Sequence, residues 1–343
     1  MLNRFRLFLL GMVAFGIAIG WAQSGYAQRS GRGELRHLRD SQAVRAAFRD
    51  LAAPISESVV EVLSGGKMVA LGTIVGADGW ILTKASELSG KLSCRFKDAS
   101  ELPASIIGVH ADHDLALLKV EAANLPAVTW KSDADYRLGQ WVFTPGVGEE
   151  PIAIGVVSVA PRNVPRDRGI LGINLEESPD GPRVTQVLPR SAASKAGIQV
   201  DDIITHVNGE RVTTRATLVD TIRRMWVGDD VTLRIRRGEK EQELTATLGS
   251  ANSERLEFQN HLGGPLSNRS SGFPAALQHD SPLRPDQCGS PLVDLSGHVV
   301  GINIARAGRV HSYAIPASIA QQVLPELQSG KLAPGMGSVG AAR

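Results

Sequence analysis

Apolar residues come in short bursts separated by turn formers over most of the chain. VVEVLSGGKMVALGTIVGADGWILT carries apolar runs split at Gly65-Gly66 and at Asp78-Gly79, the pattern of consecutive antiparallel hairpins. LSCRFKD, ASIIGVHAD, DLALLKVE and QWVFTPG continue the series at turn-bounded intervals, and together they predict a β-barrel or β-sandwich. Helical spacing is sparse: SQAVRAAFRDL predicts a short helix over 41–51, TRATLVDTIRRMW an amphipathic one, and residues 319–327 a helix near the end.

Length and composition extend this picture. At 343 residues, 43% of them hydrophobic, the chain can bury two or three cores, so two or more domains are expected. Thirty-six glycines, 18 prolines and only 5% aromatics agree with a mainly β architecture.

The first residues combine Arg4 and Arg6, an apolar run from Leu7 to Ile19, and small residues at Gly25 and Ala27, which reads as a signal peptide over 1–27. A membrane association follows only if that segment is retained. Its removal takes away two arginines and no acid, so 37 Lys+Arg fall to 35 against 35 Asp+Glu. A neutral chain argues against nucleic acid as a partner, because phosphate binding needs a concentrated basic surface. A secreted or periplasmic location is expected. Two cysteines, Cys94 and Cys288, with no CxxC or His/Cys cluster, give no support for a metal or a cofactor.

The texture changes at Gly169. GILGINLEE, PRVTQVLPRSAASKAGIQVDDIITHVNGERV, TRATLVDTIRRMWVGDD and VTLRIRRGEKEQELTATLG read as strand, strand, short helix, strand, turn, amphipathic helix and two strands. PRSAASKAGIQVDDIITHVNGERV resembles the PDZ segment in which a short helix ends at Gly and leads into a strand and an Asn-Gly turn. GILG resembles the PDZ carboxylate-binding loop. The resemblance implies peptide or protein C-termini as partners, added as a strand to the domain's edge. Ile170, Leu171, Gly172 and Ile173 would form the loop and strand. Thr217, Leu218 and Ile222 would border the pocket, with Leu218 and Ile222 equally readable as core.

The flanking strands resemble the HtrA/Deg type of trypsin-like serine endopeptidase. LGTIVGADGWILT is similar to the hairpin before the family's histidine, and HDLALLKV to the strand carrying its aspartate. QHDSPLRPDQCGSPLVDLSGHVVGINIA is similar to the nucleophile segment. The resemblance runs over about residues 55–327 and implies a chymotrypsin-like double β-barrel with an inserted PDZ domain. The expected plan is a signal peptide over 1–27, an arm with a short helix over 28–54, and the first barrel with the start of the second over 55–165. The PDZ domain follows over 166–250, the rest of the second barrel with a helix over 251–330, and a disordered tail over 331–343. LGGPLSNRSSGFP, within the fifth part, is expected to be an exposed loop. Family members commonly assemble as trimers, so a homo-oligomer is within the resemblance, although no stretch here fixes one.

Matched residue by residue, the family's catalytic positions are altered. A serine nucleophile needs a base, a group that orients the base, and N–H donors for the oxyanion. Asp114 stands at the orienting position, but Ser86 stands at the histidine, Cys288 at the serine and Asp286 at an oxyanion glycine. A hydroxyl cannot take and return a proton near neutral pH as imidazole does. An unassisted thiol of pKa about 8.5 is only a few per cent ionised at pH 7. The leading expectation is a catalytically impaired peptide-binding or quality-control scaffold. Two alternatives stand beside it: an endopeptidase using Cys288 with a recruited histidine (His110, His113, His279 or His311), and a redox-responsive adaptor acting through Cys288.

Overall fold

The computed structural model describes residues 41–131, 135–250 and 264–333. The expected signal peptide, most of the arm and most of the tail lie outside the described residues. The chain divides after Phe48 into two units. In the first unit, helix α1 (Gln42–Ala47) is capped by Ser41, whose hydroxyl accepts from the Val44 N–H at 3.4 Å. The second unit opens with α2 (Arg49–Ser56). The single helix expected over 41–51 is thus two, because Phe48 leaves helical dihedrals at φ −95°, ψ 0°.

Strands β1 (Val59–Ser64), β2 (Lys67–Gly76), β3 (Trp80–Lys84), β4 (Leu92–Arg95), β5 (Glu101–His110) and β6 (Leu115–Val120) close a barrel in the order β1-β2-β3-β6-β5-β4. The turns fall at Gly65-Gly66 and Asp78-Gly79, where the apolar pattern breaks. Val60, Val62, Ile74, Ile81, Cys94, Ala116 and Leu118 fill the interior, each large aliphatic side chain contributing about 1.5–3 kcal/mol by burial. Closure leaves no free strand edge in this sheet.

A second barrel starts with β7 (Trp141–Thr144) and β8 (Ala153–Val164), and the chain then leaves it. An open sheet follows, built from β9 (Ile173–Glu176), β10 (Arg183–Val187), β11 (Ile203–Val207), β12 (Glu210–Arg211), β13 (Asp230–Arg237) and β14 (Lys240–Thr247). Its order is β14-β13-β11-β10-β9, with β12 on β11. Helices α3 (Ala192–Ala196) and α4 (Arg215–Arg223) complete this block. Its core includes Val184, Ile204, Leu218, Ile222, Val231 and Leu233. Of the two readings open for Leu218 and Ile222, both are core residues here, which the i,i+4 spacing on α4 allows.

The chain re-enters the second barrel with β15 (Phe273–His279), followed by β16 (Pro291–Asp294), β17 (Val299–Arg306) and β18 (Ser312–Pro316), closing it in the order β15-β18-β17-β16-β7-β8. Helix α5 (Ala317–Gln328) packs after β18. The last residue of β8 and the first of β15, Val164 and Phe273, are direct register partners. Exit and return are therefore neighbours, so a whole sheet can be inserted there without opening the barrel. The fold is mainly β: a chymotrypsin-like double β-barrel with an inserted PDZ domain.

The loop expected to be exposed after the insertion is corrected in part. Ser267 is buried, and residues 269–272 are half-buried. Hydrogen bonds from its polar groups, described below, hold it against both barrels. Residues 251–263 lie outside the described region.

Candidate functional site

Three segments meet where the two barrels face each other. From the first barrel come the residues after β3 and the turn before β6; from the second comes the turn before β16. The turn before β6 is a short 3-10 helix, Ala111–His113, ending in Asp114 with left-handed dihedrals (φ 56°, ψ 29°). That conformation turns the Asp114 carboxylate inward, where it is 2% exposed. The carbonyl of Asp114 accepts from the Ala85 N–H at 2.7 Å. Ser86 then satisfies both carboxylate oxygens: its N–H donates to Oδ1 and its hydroxyl to Oδ2, each at 2.8 Å. The structure thus brings Ser86 and Asp114 together. Burial pushes the Asp114 pKa up, opposed by the charges of Lys84 and Arg269 and by the Ser86 bonds.

The second barrel contributes Pro285–Gln287, a 3-10 turn leading into Cys288. Gly289 follows with φ +93°; a Cβ there would lie 1.9 Å from the Leu71 carbonyl oxygen, so only glycine fits. The turn is stitched to β2: the Leu71 N–H donates to the Cys288 carbonyl at 2.9 Å and the Thr73 hydroxyl to that of Gly289 at 2.9 Å. Cys288 is 0% exposed. Its sulfur lies 3.9 Å from the Ser267 hydroxyl and 3.8 Å from the Arg284 carbonyl oxygen. Burial pushes the thiol pKa up, with Lys84 as the largest opposing influence. Cys94, in the first barrel's core, is pushed up to about 12 by burial, and both cysteines are free thiols.

The turn geometry bears on oxyanion binding. The Cys288 N–H donates to the Pro285 carbonyl at 3.1 Å, so this donor is spent within the 3-10 turn. Asp286 does not stand as a bare charge. Arg284 grips it with Nε at 2.9 Å from Oδ1 and Nη2 at 3.1 Å from Oδ2.

Sequence reasoning missed Lys84. It ends β3 fully buried, donates to Glu87 at 3.1 Å, and its charge acts on both Asp114 and Cys288. A lysine at the inward end of the apolar run WILTK was the available signal. Also missed were Asn268 and Arg269. The Asn268 amide donates to Glu87 at 3.3 Å, and the Arg269 guanidinium donates to the carbonyls of Ala111, Asp112 and Gly272.

The inserted sheet carries its own site. Strand β9 is an edge, open on one side. Before it, the carbonyls of Leu171 and Gly172 accept from the N–H groups of Ala193 and Leu188, at 2.9 Å each. Among the described residues, no backbone bond takes up the N–H of Leu171 or Gly172. Gly172 has φ +77° and its missing Cβ would lie 2.4 Å from that of Ser191, so the loop backbone packs directly on the start of α3. Ile170 and Ile173 are half-buried, Leu171 is buried, and Thr217 on α4 is exposed.

Comparison with known proteins agrees with this architecture. A family model described as a PDZ domain matches residues 169–248, and one described as a trypsin-like peptidase domain matches residues 70–200. The two matches overlap over 169–200, where the strand pairing assigns the chain to the inserted sheet. A Pseudomonas savastanoi pv. phaseolicola protein described as "Probable periplasmic serine endoprotease DegP-like" is 25% identical over 285 residues, covering 58% of this chain and 59% of that one. These matches support an HtrA/Deg-type family for the chain. A Halomonas elongata relative with the same description is 22% identical over 263 residues, covering 52% of this chain and 56% of that one. The chain spans less than two thirds of the length of these relatives. Among solved structures it is similar to "HtrA-type protease AlgW with decapeptide", at 16% identity and TM-score 0.29, covering 59% of this chain and 98% of that one.

Proposed function

We propose that this chain is a periplasmic, peptide-binding HtrA/Deg-type protein whose proteolytic centre is catalytically impaired, acting as a scaffold in protein quality control. The observation that carries the proposal is the Ser86–Asp114 pair. Both oxygens of the orienting carboxylate are taken by a residue that cannot act as a base near neutral pH. Further support comes from the buried Cys288, its raised pKa, and its N–H spent on Pro285. Loss of one oxyanion donor costs about 10²–10³ in rate, and loss of the base removes most of what remains. Among the described residues no histidine hydrogen-bonds the Cys288 sulfur, which weighs against a recruited base. The same burial weighs against redox signalling through Cys288. The relatives' description as periplasmic supports the location.

Peptide binding is assigned to the open edge of β9. A ligand strand adds there, and its terminal carboxylate meets the N–H groups of Leu171 and Gly172. Ile170 and Ile173 flank the carboxylate, with Thr217 on the facing helix. The test is fluorescence polarisation on the full chain, using labelled peptides that end in Val, Leu or Phe with either a free or an amidated C-terminus. Free-carboxylate peptides are expected to bind and amidated ones to lose at least tenfold in affinity, about 1.4 kcal/mol. Equal affinity for both forms would remove this mode of recognition.

A further inference from the structure

The turn that presents Asp114 also carries two histidines for which the centre has no use. HADHD places His110 at the end of β5 and His113 at the end of the 3-10 turn. Their Nδ1 atoms approach to 3.2 Å, with ring centroids 4.7 Å apart and ring planes inclined at 57°. Both rings are half-buried. With one Nδ1 protonated this is an N–H···N hydrogen bond; with both unprotonated, the two lone pairs are close enough for one metal ion to bridge them.

We propose that His110 and His113 form a binding site for a divalent transition metal of the Zn²⁺, Ni²⁺ or Cu²⁺ type. Zn–N bonds of about 2.0–2.1 Å at a tetrahedral angle set two ligand nitrogens about 3.3 Å apart, which the pair already matches. Neutral imidazole is the preferred ligand of these ions.

The backbone that holds the rings is preset. His110 pairs with Leu115 across β5 and β6, and the Asp114 N–H closes the turn onto the Ala111 carbonyl at 3.2 Å. Arg269 grips the carbonyls of Ala111 and Asp112 from outside. Preset ligands lose little entropy on binding. The Arg269 charge opposes a cation here, and the exposed Asp112 carboxylate offsets it. No group of three or more His, Cys, Asp or Glu among the described residues forms a complete ligand set. Water therefore fills the remaining positions, and the affinity is the modest one of a two-imidazole site. Bound metal would brace the turn that delivers Asp114 to Ser86, so binding should raise thermal stability.

The experiment uses the untagged full chain, stripped with EDTA and exchanged into metal-free buffer. Calorimetric titration with ZnCl₂ and NiCl₂ should give one site. That site should weaken roughly tenfold or more in His110→Ala, His113→Ala and the gentler His113→Gln, and stay unchanged in His298→Ala, a histidine remote in sequence. Cu²⁺ added to wild type should give an electron paramagnetic resonance spectrum with nitrogen coupling from two imidazoles, a readout that needs no variant. Equal metal affinity in wild type and both variants would overturn the proposal. So would the absence of heat or of a melting-temperature change up to about 1 mM metal, which would assign the pair to a shared proton.

Discussion

His279, at the end of β15, is fully buried in the second barrel, and neither ring nitrogen has a hydrogen-bond partner among the described residues. Burial lowers its pKa from the ordinary 6.5 to about 4; Asp280 and the neighbouring Asn303 amide oppose the shift, and His311 adds to it. The folded chain therefore holds the ring neutral at pH values where the unfolded chain protonates it. Unfolding takes up a proton in that window, so stability falls as pH drops below about 6.5 and the loss is complete near 4. At about 1.4 kcal/mol per pH unit, the gap amounts to roughly 3 kcal/mol. Asp114 works in the opposite direction, because its raised pKa makes protonation favour the fold. The effect must therefore be read as a difference against a variant. His279→Leu removes the titration and is the reference against which it is read. Urea denaturation at pH 7.5, 6, 5 and 4 is the assay. Wild type should lose roughly 3 kcal/mol more than His279→Leu between the first and last conditions. Parallel loss in the two proteins would refute the reasoning.

Three further outcomes follow from the site. Gly289→Ala should cost roughly 3 kcal/mol or prevent folding, since its φ of +93° and the Leu71 carbonyl leave no room for a Cβ; thermal melts measure it, and a melting temperature like wild type's would contradict the geometry. Lys84→Met should destabilise by roughly 1–3 kcal/mol by leaving the half-buried Glu87 carboxylate without its ion pair, and Lys84→Met/Glu87→Gln should cost less than the two single losses combined. Additive losses in urea titrations would show that the pair is not coupled. Cys288 should resist dithionitrobenzoate in the native state and react on unfolding, because it is buried with a raised pKa; fast native labelling that Cys288→Ala abolishes would contradict that burial.

The strands were legible because turn pairs such as Gly65-Gly66 and Asp78-Gly79 interrupt an apolar pattern whose interior faces had to close on themselves. The inserted block was legible through the Gly197 that ends α3 and the Asn208-Gly209 turn, both local backbone requirements. Ser86 and Asp114 could be paired from their surrounding motifs, but their two-fold hydrogen bond could not. Lys84 was hidden because a strand's alternation says which way a side chain points, not which charges converge on it from other segments. Residues 267–269 were hidden for a related reason. Ser, Asn and Arg suit an exposed loop by composition, and only the three-dimensional meeting with Cys288, Glu87 and the 111–112 carbonyls makes them part of the centre. Asp286 was legible as a residue standing at an oxyanion glycine, and its fork with Arg284 emerges only from side-chain geometry.

The most direct test of the impaired centre is proteolysis itself. Purified full chain is incubated with unfolded casein at neutral pH, with and without a C-terminal peptide that binds it, beside Cys288→Ala. The account predicts no cleavage above the buffer blank and no difference between wild type and the variant. Time-dependent cleavage by wild type that Cys288→Ala abolishes would contradict it.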